Sequence, residues 1–243
     1  MAALARSTAL RPQQQAYFLV TITAAAAWLD VLAFVHLGKV FLSFMSGNLL
    51  FLGIATGHGS GTLLARAATA LAAFLAGSAV GARLAGSRLV PGQPGGEMRR
   101  TLLVEAALLA VFALLWTLAD HPDDRTALGL VLIATGAGAM GVQAAIALAL
   151  HVPNVATVAM TATLAQIGAL AGWRDREGPG VLANTPSLAL MIPLCLAYLV
   201  TALLVATVPA TPLLAFGPGL LILAATFSPA TGSWPRRAPR RRS

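Results

Sequence analysis

The chain has 243 residues, 58% hydrophobic and only 10% charged, with a net charge of +8 and a mean hydropathy of +0.80. Soluble domains carry about 25% charged residues, so this composition excludes a soluble globular fold and points to an integral membrane protein. Five of the arginines lie in the tail Arg236-Arg237-Ala238-Pro239-Arg240-Arg241-Arg242. The basic excess therefore belongs to a terminal segment suited to anionic lipid headgroups, and a nucleic-acid partner is not expected.

In chain order, residues 1–16 are polar and hold Arg6 and Arg11, which reads as a cytoplasmic N-terminal segment. Eight apolar blocks follow, near 17–37, 40–57, 62–85, 101–119, 127–150, 155–172, 187–208 and 211–227. Such blocks approach the roughly 20 apolar residues that cross a bilayer as a helix, so the expected fold is all-α and polytopic. The first block passes the small-residue run Ala24-Ala25-Ala26-Ala27 without stopping, so it reads as a retained span rather than a cleaved signal. No window suits a separate soluble domain. Residues 17–228 form a single membrane domain, with halves about 17–119 and 127–228, and 229–243 form a basic cytoplasmic tail. The lone cysteine, Cys195, cannot make an internal disulfide and reads as a small core residue. Trp116, Trp173 and Trp234 fall at block ends, as interfacial anchors do.

The arginines choose a topology. Eight full spans with the N-terminus inside would place Arg83, Arg88, Arg99 and Arg100 outside, against the positive-inside bias. If 40–57 and 155–172 instead dip in and return, six spans remain. The clusters at 6–11, 83–100, 174–176 and 236–242 then all become cytoplasmic, and 120–125 is outside. Both termini are cytoplasmic in this arrangement. The expectation is six spans plus two re-entrant or broken helical segments. The alternative is eight spans in a parallel repeat.

A repeat supports the same arrangement. Phe44-Met45-Ser46-Gly47-Asn48-Leu49-Leu50-Phe51-Leu52-Gly53 returns 115 positions later as Ala159-Met160-Thr161-Ala162-Thr163-Leu164-Ala165-Gln166-Ile167-Gly168. Only five of the 26 pairs between 28–53 and 143–168 are identical. The weight lies in a polar Ser/Thr-Gly/Ala-Asn/Thr cluster recurring at one offset within hydrophobic sequence. Three crossings per half give the halves opposite orientations, an inverted repeat, and interrupted segments in matching places mark transporter-type sites.

Several residues carry candidate chemistry. Asp30 lies about two-thirds along the first span, where a carboxylate costs about 2.5–3.5 kcal/mol and faces the bundle interior with a partner. Thr23, Ala26, Ala27 and Ala33 share its face. Arg66 heads the small-residue stripe Arg66-Ala70-Ala73-Gly77-Gly81 and is the expected ion-pair partner, with snorkelling to headgroups as the plainer role. His36 and His151 close equivalent spans, suited to proton relay or to a plain interfacial position. Ser43, Ser46, Asn48, Thr157, Thr161 and Thr163, with Gln143 and Gln166, would either line a solute site or join helices by hydrogen bonds. The substrate-binding set expected is Asp30, Ser46, Asn48, Thr161, Thr163 and Gln143. No metal set, cofactor fingerprint or nucleophile–base pair is legible, so neither a cofactor nor enzymatic activity is expected. Gly136-Ala137-Gly138-Ala139-Met140-Gly141 spells a dinucleotide motif but lies inside an apolar block, where close helix packing is the expected role.

From Asp30 through Val40-Phe41-Leu42-Ser43-Phe44-Met45-Ser46-Gly47-Asn48 to Gly53, the chain resembles the YoaK family of small bacterial membrane proteins. That family shows an Asp near the end of its first apolar segment, then Met-Thr-Gly-Asn, with Ser46 standing here for the Thr. In the second copy Ala162 stands where the family usually has Gly. The resemblance implies a polytopic bacterial inner-membrane protein of uncharacterised function and lends no substrate. The residues themselves point to a transporter or channel for a small solute or ion, with a sensor or assembly protein as the rival. The sequence leaves an oligomer open.

Overall fold

The computed structural model describes residues 12–85, 95–119, 127–149, 186–207 and 211–227. Among them every regular element is helical: α1 Pro12–His36, α2 Met45–His58, α3 Gly61–Leu84, α4 Gly95–Leu118, α5 Ala127–Ala149, α6 Pro186–Thr207 and α7 Phe216–Thr226, the last entered through a 3-10 turn Pro212–Ala215. Helices are the expected answer for apolar sequence in lipid, because each backbone N–H and C=O must find its partner inside the segment. Four of them are long and apolar enough to cross a membrane: Tyr17–His36, Gly61–Leu84, Glu97–Leu118 and Ala127–Ala149. Two shorter apolar stretches, Ile192–Thr207 and Leu213–Thr226, pack beside them. The protein is a helical membrane protein with large apolar side chains such as Leu75, Leu114, Leu199 and Leu203 turned outward toward lipid.

Close contacts fix the relative directions of the helices. A Cβ added at Gly77 would strike the Gly138 carbonyl, and one at Gly141 would strike the Phe74 carbonyl. Farther along, Gly81 abuts Val142 and Ala145, so α3 and α5 run parallel. The apparent dinucleotide motif is thus a packing surface that lets two backbones touch. Helix α1 runs the other way. Leu42, held at the level of Asp30, abuts Gly136, whereas Gln143 reaches back to the carbonyl of Ile22. Descending α1 therefore means ascending α5. Phe112 packs on Gly136 and Leu109 on Gly219, which seats α4 against α5 and α7.

The stretch joining α1 to α3 is the irregular part. Residues 37–44 are non-helical, and α2 has only 14 residues. At 1.5 Å per residue it spans about 21 Å, short of the roughly 30 Å hydrocarbon core. It joins α1 to α3, which run in opposite directions. The basic start of α4 and the end of α7 also share one end, with the Arg99 guanidinium 5.0 Å from the centre of the Phe227 ring.

Two expectations change. Trp116 is buried, 3% exposed, packing on Phe112 and edge-on to His36 at 5.8 Å, so it is a core residue rather than an interfacial anchor. Cys195 is only half-buried on α6, not enclosed in the core. The second broken segment, near 155–172, lies outside the described residues, as do the 120–126 loop and the basic tail.

Candidate functional site

Asp30 is the centre of the irregular region. It is 2% exposed and accepts four hydrogen bonds. Its Oδ1 takes the backbone N–H groups of Leu42 and Ser43, each at 2.7 Å. Its Oδ2 takes the Ser43 hydroxyl at 2.6 Å and the Tyr198 hydroxyl of α6 at 3.0 Å. An intramembrane carboxylate persists when its acceptor capacity is filled, and bonds to an ionised acceptor are the strong kind. Here the acceptor replaces the partners that the backbone of 42–43 lost on leaving the helix. The break in the helix and the acid in the span are one device.

Asn48 does the same one turn into α2. Its Oδ1 accepts from the Phe41 N–H at 3.0 Å and its Nδ2 donates to the Phe41 carbonyl at 2.6 Å, so the amide pairs with both backbone groups of one residue. Gly47 is needed beside it: a Cβ there would lie 2.7 Å from both the Phe41 and Phe44 rings. Phe41 stacks on Phe34 at 5.2 Å and on Phe51 at 5.9 Å, which fastens the loop to α1 and α2 by apolar contact as well. The Met-Ser-Gly-Asn run is therefore a clamp for the loop before it. Ser46 sits on the exposed side of the first turn of α2.

Arg66 holds the other end of the loop. Its Nη1 donates to the Gly38 carbonyl at 3.1 Å. Gly38 (φ 83°) and Lys39 (φ 61°) take the left-handed turn that stops α1, and the Lys39 N–H closes on the Phe34 carbonyl at 3.2 Å. The direct Asp30–Arg66 pair expected from the sequence is thus not what holds Asp30. Both side chains grip the same loop, one at 42–43 and one at 38.

The remaining candidates are placed as follows. Gln143, 1% exposed, donates to the Ile22 carbonyl at 2.9 Å, two helical turns from the Asp30 level. His36 meets Trp116. His151, Thr157, Thr161, Thr163 and Gln166 lie outside the described residues. Sequence reasoning missed Tyr198, which nothing local distinguishes, and Glu105, which is 0% exposed on α4. The signal for Glu105 was available: it is a lone acid in an apolar block, the same reason that singled out Asp30.

Residues 18–228, the described bundle included, match the family described as protein of unknown function (DUF1275). The chain belongs to this family. A relative, the UPF0700 transmembrane protein YoaK of Bacillus subtilis (strain 168), is 29% identical over 142 residues, covering 58% of this chain and 60% of that protein. The YoaK likeness read from residues 30–53 therefore has its counterpart in the comparison. No solved structure matches the chain. In this DUF1275 protein the residues that carry the likeness, Asp30, Gly47 and Asn48, are those that build the clamped loop.

Proposed function

We propose that this protein is a bacterial inner-membrane transporter or channel for a small solute or ion, built as six spans and two re-entrant segments in an inverted repeat, with both termini cytoplasmic. One observation carries the reading. Backbone that leaves the helix at the end of α1 turns back, so that residues 42–43 meet Asp30 about 9 Å below that end, the six-residue distance from His36; side chains of α1 and α2 hold the loop, and Tyr198 of α6 holds Asp30. Non-helical backbone at membrane depth is kept where protein buries it or water lines it, and transporter sites use such breaks. The antiparallel course of α1 and α5, the first spans of the two sequence repeats, supports inversion and is at odds with a parallel eight-span repeat. On this reading the second break, with Thr161 and Thr163, enters from the opposite face, and the basic tail contacts anionic headgroups.

The rival is a non-transporting sensor or assembly protein. It is favoured by the way Asp30 and Asn48 spend their hydrogen bonds on the loop itself. Flux screening in proteoliposomes, over inorganic ions and small polar metabolites, separates the two readings. Asp30→Asn preserves an acceptor for the loop while removing the charge. Lost flux with normal insertion and unchanged unfolding assigns the charge to transport. Loss of folded protein with no separable activity favours assembly.

A further inference from the structure

Among the described residues, four buried side-chain oxygens have no hydrogen-bond partner, Thr23 Oγ1, Glu105 Oε1 and Oε2, and Gln143 Oε1, as does one nitrogen, Trp28 Nε1, whose ring packs on Gly217 of α7. The four oxygens fall at one level by helix register. Phe112 of α4 meets Gly136 of α5, and seven residues along each antiparallel helix lead to Glu105 and Gln143. Seven residues are two turns and bring a side chain back to nearly the same face. Likewise Asp30 lies at the level of Leu42, which abuts Gly136, and seven residues back along α1 is Thr23, next to the Ile22 carbonyl that Gln143 binds. Three helices thus converge on one level, about 10 Å from the Asp30 cluster. Thr23 and Glu105 are 0% exposed and Gln143 is 1%.

The chemistry of the layer is one-sided. The Gln143 amide nitrogen donates to the Ile22 carbonyl, and its oxygen is the atom without a partner among the described residues. The unpartnered atoms of these three side chains are all oxygens, and one of the three brings a carboxylate. Leaving such groups unsatisfied in the interior costs about 1–3 kcal/mol each, more for a charge. Among the described arginines, Arg66 binds at the Gly38 end of α1, Arg99 lies over Phe227, and Arg83 and Arg100 are exposed on the surface. Oxygen donors around a single acid suit a hard monovalent cation, since a divalent ion would leave net charge in the apolar interior.

We propose that Thr23, Glu105 and Gln143 form a second intramembrane site, separate from the Asp30 clamp, that binds one alkali cation. The site deepens the transport reading by supplying a coupling ion, but its occupancy is an equilibrium property that needs no flux. Purified full-length protein in detergent should bind radioactive sodium saturably, one ion per chain, in a proximity assay. Its melting temperature should rise in sodium or lithium chloride relative to choline chloride at equal ionic strength. Glu105→Gln should abolish both effects, and Thr23→Val, which keeps the side-chain shape, should weaken sodium binding roughly tenfold. Absence of saturable binding in the unmodified protein overturns the site, as does binding that Glu105→Gln leaves intact. A stabilisation produced by acidification but by no alkali cation also overturns it. If Glu105→Gln does not fold, Thr23→Val decides, and unchanged affinity counts against the site. Saturable binding without flux of any solute retires the transport reading and leaves the site standing.

Discussion

Replacing Asp30 with Ala tests whether the carboxylate builds the loop. The substitution strands two backbone N–H groups, those of Leu42 and Ser43, at residues 0% and 5% exposed. Neither can turn to a new acceptor, because the peptide planes are fixed. At about 1–3 kcal/mol for each buried donor left without a partner, the loss is about 2–6 kcal/mol. The Ser43 and Tyr198 hydroxyls rotate and add less. Asp30→Asn keeps an oxygen for the two N–H groups and lets the hydroxyls reorient toward its nitrogen. Its loss should therefore stay below about 2 kcal/mol, the difference between charged and neutral hydrogen bonds offset by relief of a buried charge. Unfolding in mixed micelles gives the stabilities. Trypsin cleavage after the exposed Lys39 reports the loop, and should accelerate in Asp30→Ala alone. Equal stability and equal cleavage for the two variants would refute the argument that Asp30 acts as the surrogate acceptor.

Three further outcomes follow from the packing and the clamp. Asn48→Ala removes both partners of Phe41 and should cost about 1–3 kcal/mol in the same unfolding assay, with faster cleavage at Lys39; an unchanged melt contradicts the clamp. Gly77→Ala drives a methyl into the Gly138 carbonyl and should destabilise by about 1–3 kcal/mol, whereas Gly53→Ala on α2 meets nothing within 4 Å and should gain up to about 1 kcal/mol from helix propensity. If the two substitutions behave alike, close α3–α5 contact is not limiting. With Cys195 replaced by Ala, a cysteine at position 93 should be labelled by an impermeant maleimide only after the cells are opened; labelling in intact cells rules out the six-span arrangement.

Membership of the membrane class was settled by composition, because a charge content this low has no soluble solution. Among the described residues the helix positions followed the apolar blocks, apart from the non-helical start of the block at 40–57, since backbone hydrogen bonding in lipid admits little else. The inward face of α1 was legible as well: Thr23, Ala26, Ala27, Asp30 and Ala33 are all buried, as small and polar residues at helical spacing require. So was the packing role of Gly77, Gly138 and Gly141. What Asp30 holds was not legible. Its partners sit 12, 13 and 168 positions away, and a hydrogen bond at such separation leaves no periodicity to read. The sequence offered Arg66 as the partner because opposite charges attract. The folded chain uses both on the same loop, because backbone that leaves a helix inside a membrane demands acceptors and donors at fixed places. Glu105 makes the same point from the other side. Its isolation among apolar residues was visible in the sequence, but only the register of α4 against α5 and α1 brings it level with Gln143 and Thr23. Apolar burial is written residue by residue, whereas the directions of antiparallel helices and the meeting of their polar atoms are decided by packing between distant segments.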